Sequence, residues 1–306
     1  MTSVRRFAFA SSALFTLATA ACGGGDDTPA TPDADTGGNP GFILPTDTTK
    51  ANMDDAPIGE ADWSCLNTAS DDVATAVEIH LTGVINDFQD NSKEIRDGTI
   101  TVFPDTDYMN PVDTSGPTAV DGVFDLTLTT GVKRFGFKVS APNYMDTFLL
   151  NQAFDANTVD QSQNVSAIST GLATALPAFI GITRTVGDGV LAGAMRDCAG
   201  NEVSNAIATV SSTSGTADHL DGAQTFYLDA GTSLPVKHDT LSSTDANGLF
   251  AVFELPVTTQ AYVQVWGFVN QADIAQGEAG LTLLAELPSP VVADTIITGS
   301  IEPLRN

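Results

Sequence analysis

Thr118-Ala-Val-Asp-Gly-Val-Phe-Asp-Leu126 recurs downstream as Thr244-Asp-Ala-Asn-Gly-Leu-Phe-Ala-Val252. Asp121-Gly122 and Asn247-Gly248 are residue pairs that tolerate positive φ, so each copy predicts a tight turn of the kind that joins hairpin strands. The residues after the first turn alternate: Val123, Asp125 and Thr127 against Phe124, Leu126 and Leu128. Period two means a strand with one buried face. The second copy keeps the theme, with Phe250, Val252 and Leu255 set among Ala251, Phe253 and Glu254. A further strand comes after each at the same offset: Phe135, Phe137 and Val139, then Tyr262, Val263, Val265 and Trp266. Upstream lies a third anchor, in which Leu81-Thr-Gly83-Val-Ile-Asn-Asp87 matches Leu191-Ala-Gly193-Ala-Met-Arg-Asp197 at Leu, Gly and Asp.

Three anchors in one order make an internal duplication, with a longer middle insertion in the second copy over about Ser211 to Leu241. Short strands separated by turn residues indicate an all-β chain built of sandwiches. Few Lys and many Thr, Val, Gly and Asp point the same way.

The pattern resembles the carboxypeptidase regulatory-like domain. The residues that carry the likeness are the Leu-x-Gly strand, Thr99-Ile-Thr-Val102, Thr118-x-x-x-Gly122-x-Phe124 and the ending Ser140-Ala-Pro-Asn-Tyr144. It covers about residues 76–155 and, more loosely, 188–303, where the Pro-x-Tyr ending is missing. The resemblance implies two tandem transthyretin-like (prealbumin-like) β-sandwich domains, at 63–158 and 186–306. Between them, the connector 159–185 carries Val165, Ile168, Leu172, Ala175 and Leu176 at helical spacing. This predicts a short helix over Asp160–Thr174, stopped by Pro177 and covering an open sandwich edge. An irregular linker is the alternative.

The N-terminus reads as an address. Arg5 and Arg6 precede an apolar stretch, Phe7–Ala21, that is shorter than the roughly 20 residues needed to span a bilayer core. Thr19, Ala20 and Ala21 are small residues of the kind a signal peptidase accepts. Cys22 comes next, before Gly23, Gly24 and Gly25. This arrangement resembles the lipobox of bacterial lipoproteins, although Thr19 stands where Leu is usual. The resemblance implies a signal peptide at 1–21, lipidation of Cys22, and a membrane partner reached through the lipid. It also implies the cell envelope as location, with the outer membrane favoured because Gly23 rather than Asp succeeds the cysteine. A secreted or periplasmic protein is the alternative. Residues 22–62, rich in Gly, Pro, Thr and Asp, read as a disordered acidic tether.

Composition limits function. The chain has 38 acidic and 12 basic residues and a formal charge of −26. That excludes nucleic acid as a partner, since such binding needs a basic surface. With Cys22 assigned to lipid, Cys65 and Cys198 remain, either as one disulfide in an oxidising compartment or as two buried thiols. Neither the cysteines nor His80, His219 and His238 carry zinc or catalytic spacing. Hence no enzyme and no cofactor are expected. Asp87, Asp90 and Asn91, with Asp105 and Asp107, are calcium candidates because sandwich loops that gather carboxylates can supply oxygen ligands. Dispersed solvated carboxylates are the alternative. Trp266 and Trp63 could stack on a sugar, but core packing is the competing reading of Trp266. The sequence thus describes a non-catalytic envelope protein with a structural or protein-interaction role, or alternatively a glycan-binding adhesin.

Overall fold

The computed structural model describes residues 43–52, 58–237 and 239–306. Two short strands lead, β1 (Lys50–Asn52) and β2 (Gly59–Glu60). The first repeat contributes β3 (Ile79–Asp87), β4 (Thr99–Pro104), β5 (Asp113–Thr114), β6 (Val123–Leu128), β7 (Phe135–Ser140) and β8 (Asp146–Gln152). It ends in β9 (Asp160–Ser162) and β10 (Val165–Ala167), which lead into helix α1 (Thr170–Phe179). The second repeat holds β11 (Gly189–Met195), β12 (Glu202–Ser204), β13 (Ala206–Ser211), β14 (Gln224–Leu228) and β15 (Pro235–Val236). Then come β16 (Leu249–Leu255), β17 (Thr258–Gly267), a one-turn helix α2 (Gln271–Ile274), β18 (Thr282–Val291) and β19 (Thr295–Ile301).

The chain is all-β, and its duplication extends to strand pairing. In the first unit β3 pairs antiparallel with β6, β4 with β7, and β7 with β8, while β9 and β10 lie parallel to β3. In the second unit β11 pairs antiparallel with β16, β13 with β17, and β17 with β18, while β19 lies parallel to β11. The register agrees too. Gly83 faces Phe124 and Leu81 faces Leu126, as Gly193 faces Phe250 and Leu191 faces Val252. The repeated glycine has a steric cause, because the repeated phenylalanine ring lies over it. A Cβ on Gly193 would meet Phe250 Cζ at 2.6 Å, and one on Gly83 would run first into the Gln163 carbonyl and then meet Phe124 Cε1 at 2.9 Å.

Two units in tandem is an incomplete description, because they share a sheet. Nine strands run in the order β15-β14-β16-β11-β19-β8-β7-β4-β5. The C-terminal strand β19 joins the halves, parallel both to β11 and to β8. On one face of this sheet sits the three-stranded sheet β13-β17-β18, enclosing the largest core. On the other face β3, β6 and β10 enclose the first unit's core, and α1 covers a third cluster. Alternation along the shared strands sorts the side chains. On β8, Leu149 enters the first unit's core while Phe148 and Leu150 enter the second's. On β16, Phe250, Val252 and Leu255 face one way and Ala251 and Phe253 the other. The break in phase before Leu255 coincides with Glu254 at φ 57° and with a register shift against β11, as a bulge requires.

Four sequence expectations are corrected. The predicted 22–62 tether is not irregular to its end. β1 pairs with β2 and with β12, Thr49 donates its N–H to the Phe268 carbonyl, and Ala51 is buried. Within the connector, residues 160–167 are largely strand, because Val165 and Ala167 point inward beside β3; the helix begins only at Thr170, where Ser169 Oγ accepts Leu172 N–H. Pro177 lies inside that helix, whose end continues to Phe179. A proline near a helix end removes a single bond. The helix lies beside β15, the terminal strand of the nine-stranded sheet, and its Ala173, with Ile168 before it and Ile180 after it, clusters with Phe226, Ala251 and Phe253. Finally, Gly122 and Gly248 do close tight turns, both at φ 64°, with N–H groups donated to the Ala119 and Asp245 carbonyls. Neither turn joins hairpin strands. The preceding segments bond across to Gly98 and Ala206, so each turn carries the chain from one sheet to the other.

Candidate functional site

The most elaborated polar site of each unit is the corner where its first strand ends. Asp87 and Asp197 occupy the same place and are both buried. Each main-chain N–H closes a small loop, Asp87 to the Lys93 carbonyl and Asp197 to the Asn201 carbonyl, both at 2.9 Å. Each carboxylate then accepts the N–H two residues on, from Gln89 and from Ala199. Beyond that point the corners diverge.

In the first unit, Asp87 Oδ2 accepts from Lys93 Nζ at 2.9 Å and from the Tyr144 hydroxyl at 2.7 Å. Lys93 Nζ lies 5.5 Å from the centre of the Tyr144 ring. Burial opposes the ionised carboxylate, but these bonds outweigh it and hold Asp87 below the usual range. Tyr144 and then Asp87 raise Lys93, while burial raises Tyr144. The result is a closed ion pair with a hydroxyl lid, which is the work of the Pro-x-Tyr ending.

In the second unit the aspartate receives the N-terminal segment. Asp197 Oδ2 accepts Asp62 N–H at 3.0 Å, and Cys198 N–H donates to the Asp62 carbonyl at 2.9 Å. A disulfide joins Cys65 to Cys198 across 133 positions, with Cα atoms 5.7 Å apart. Trp63 Nε1 donates to Thr49 Oγ1 at 2.9 Å, securing the same segment.

The predicted calcium ligands are not brought together. Asp87 is committed to Lys93 and Tyr144; Asp90 accepts from Ser92; Asp107 accepts from Asn110 through both oxygens. Asp105 sits in the next loop at φ 50°, raised by burial against the opposing effect of Arg134. Among the described residues no three acidic, His or Cys side chains form a metal-binding group. Trp266 is only 9% exposed, packs in the largest core, and donates Nε1–H to Thr209 Oγ1 at 3.3 Å. It cannot stack on a sugar. Cys22 and His238 lie outside the described residues.

Sequence reasoning missed an exposed ladder on the outer face of the first unit. His80 on β3 contacts Asp125 on β6 at 2.9 Å through Nε2 and Asp160 on β9 at 3.3 Å through Nδ1. The two carboxylates, Asp125 first, raise the imidazole pKa above its ordinary value. It also missed Arg134, which bonds to Asp72 and, at 2.8 Å, to Glu302, tying the C-terminal end to the first unit. Local spacing holds no signal for either, since every partner is distant in sequence. His219 is buried, where Val210 N–H reaches Nδ1 at 3.3 Å.

No family model matches the chain, and no curated protein is similar to it. Solved structures give distant likenesses. The Bacillus anthracis TIE protein matches with TM-score 0.25 and 14% identity over 74% of this chain, which spans 34% of that protein's length. Shaft pilin SpaA from Lactobacillus rhamnosus GG matches with TM-score 0.21 and 12% identity, covering 76% of this chain and 98% of the pilin. A DUF3823 family protein from Parabacteroides merdae gives TM-score 0.22 and 11% identity over 71% and 98% of the two chains. At these scores the likeness does not extend to function.

Proposed function

We propose that this is an exported, non-catalytic protein of the bacterial envelope, anchored through lipid at Cys22 and serving as a structural or protein-interaction module of the carboxypeptidase regulatory-like class. The observation that carries the reading is the attachment of the N-terminal segment to the second unit through the Cys65–Cys198 disulfide. Disulfides persist in oxidising compartments, which supports export. The attachment also gives the anchor a mechanical meaning. Ile43 is 21 positions from Cys22, a stretch of at most about 75 Å. Beyond it, β1, Trp63 and the disulfide fasten the chain to the second unit, so a pull on the anchor would load that unit's edge first. The corner aspartates support a non-catalytic reading, because each is occupied by structural bonds. The glycan-binding alternative loses Trp266, which is buried, and keeps only Trp63, half-buried and bonded through Nε1 to Thr49 Oγ1.

Intact mass of membrane-fraction protein, beside a Cys22→Ala variant, tests the address. A mature chain beginning at Cys22 with acyl chains, lost in the variant, is expected. An unlipidated chain cleaved near Ala21 would overturn anchoring.

A further inference from the structure

The second unit carries a strand from outside the repeat on an edge that the first unit leaves bare among the described residues. β12 (Glu202–Ser204) lies just past the Asp197 corner and receives β1 antiparallel, with Lys50 opposite Ser204, Ala51 opposite Val203 and Asn52 opposite Glu202. The equivalent stretch of the first unit is Glu94-Ile95-Arg96, and the match is detailed. Asn86 bridges Glu94 as Arg196 bridges Glu202. Ile95 is 3% exposed and Val203 0%. Asp97 and Asn205 come next at φ 58° and 61°. Then Gly98 and Ala206 each donate N–H to a threonine hydroxyl, Thr118 and Thr244, at 2.9 Å.

Ile95 N–H donates inward to the Ile85 carbonyl at 2.8 Å. Glu94 forms an isolated bridge to Asn86 and Arg96 opens the turn at Asp97, so the outward direction of their main-chain groups follows from the matching residues Glu202 and Ser204, which face β1. Among the described residues no strand pairs with that edge, and both side chains are exposed. Arg96 makes a 3.6 Å contact with its neighbour Asp97.

The geometry points to Glu94–Arg96 as an acceptor edge for an extended segment of a partner protein, bound antiparallel as β1 is bound to β12. This deepens the interaction reading above, but does not depend on lipidation. Charge selects the occupant. In the β1 register, the partner residue opposite Arg96 comes first, then the one opposite Ile95, then the one opposite Glu94. An acidic, then apolar, then basic triplet therefore places opposite charges across both pairs. A second copy's own β1 fits poorly, because Lys50 would stand opposite Arg96.

The test uses the mature chain carrying Cys22→Ala and two labelled octapeptides, Thr-Val-Thr-Glu-Val-Lys-Val-Thr and the same sequence with Glu and Lys exchanged. Fluorescence anisotropy is expected to give about tenfold tighter binding of the first peptide. The double variant Glu94→Lys, Arg96→Glu should reverse the preference; both sites are exposed, so the fold should be unaffected. Arg96→Glu alone, as the second variant, should reduce the discrimination. Equal binding of the two peptides, a preference unchanged in the variants, or no binding of either at millimolar concentration would overturn the proposal. So would self-association through this edge that the peptides do not compete, because the occupant would then be a second copy. Loss of the lipid anchor in the mass experiment leaves all these outcomes readable.

Discussion

The first and second units share strand order, register and even the φ of their turn glycines, yet they are finished differently. The first closes its corner with side chains of its own, Lys93 and Tyr144 on Asp87. The second closes its corner with borrowed chain: Asp62, the Cys65 disulfide and β1. It also extends its sheet with β14 and β15 from the insertion, where β6 of the first unit has no such neighbour among the described residues. A duplicated fold can thus keep its core constant while diverging at edges, since edge groups are free to meet water, side chain or another strand.

The largest expected effect tests whether the cores are equivalent. Phe124→Ala and Phe250→Ala each remove the ring over a glycine in the same register. Each should lower stability by about 3–5 kcal/mol in chemical denaturation. Because β19 ties the sheets, both variants should retain one shared transition. A loss confined to one half of the molecule would break the comparison.

The disulfide is the next largest. Cys65→Ser with Cys198→Ser, or a reducing agent on the native chain, should cost about 2–5 kcal/mol. Amide exchange should rise in β1 and β12 before it rises in β3 or β6. Uniform loosening of both units would show that the borrowed segment is not specific to the second.

The smallest effect concerns the His80 ladder, which the second unit lacks at Val190 and its neighbours. The raised imidazole pKa means that pairing with Asp125 and Asp160 is complete below the unfolded value of about 6.5 and is lost as pH rises through the higher folded value. NMR titration should place His80 above the ordinary value, and Asp125→Asn should return it towards that value. Titration at or below the ordinary value would remove the ladder as a feature of the first unit.

Local features were legible in the sequence. The turn Gly122, the alternating Phe124 and Leu126, and the recurrence at Gly248, Phe250 and Val252 sufficed for an all-β duplicated chain. The glycine at 83 and 193 is readable once the facing phenylalanine is known, and the facing needs a register. Non-local pairing escaped. Thr295-Ile-Ile-Thr-Gly-Ser-Ile301 reads as any short strand, and nothing in it states that two parallel neighbours, β8 and β11, will receive it. Lys50-Ala-Asn52 was hidden for a similar reason, because a three-residue strand has no period of its own and is held by β12 and the Phe268 carbonyl. Of the site, Asp87 is legible as a calcium candidate and Tyr144 as the end of a Pro-x-Tyr motif, but neither their pairing through Lys93 nor the Asp62–Asp197 contact has a local signal.

Strand β19 welds two units into one body, and hydrogen exchange of the intact chain puts that weld to the test. The main-chain amides of β8, β11 and β19 should exchange together, among the slowest in the molecule, and open in one cooperative event. Separate opening of β8 and β11, with β19 joining only one of them, would contradict the weld and return the protein to two independent sandwiches.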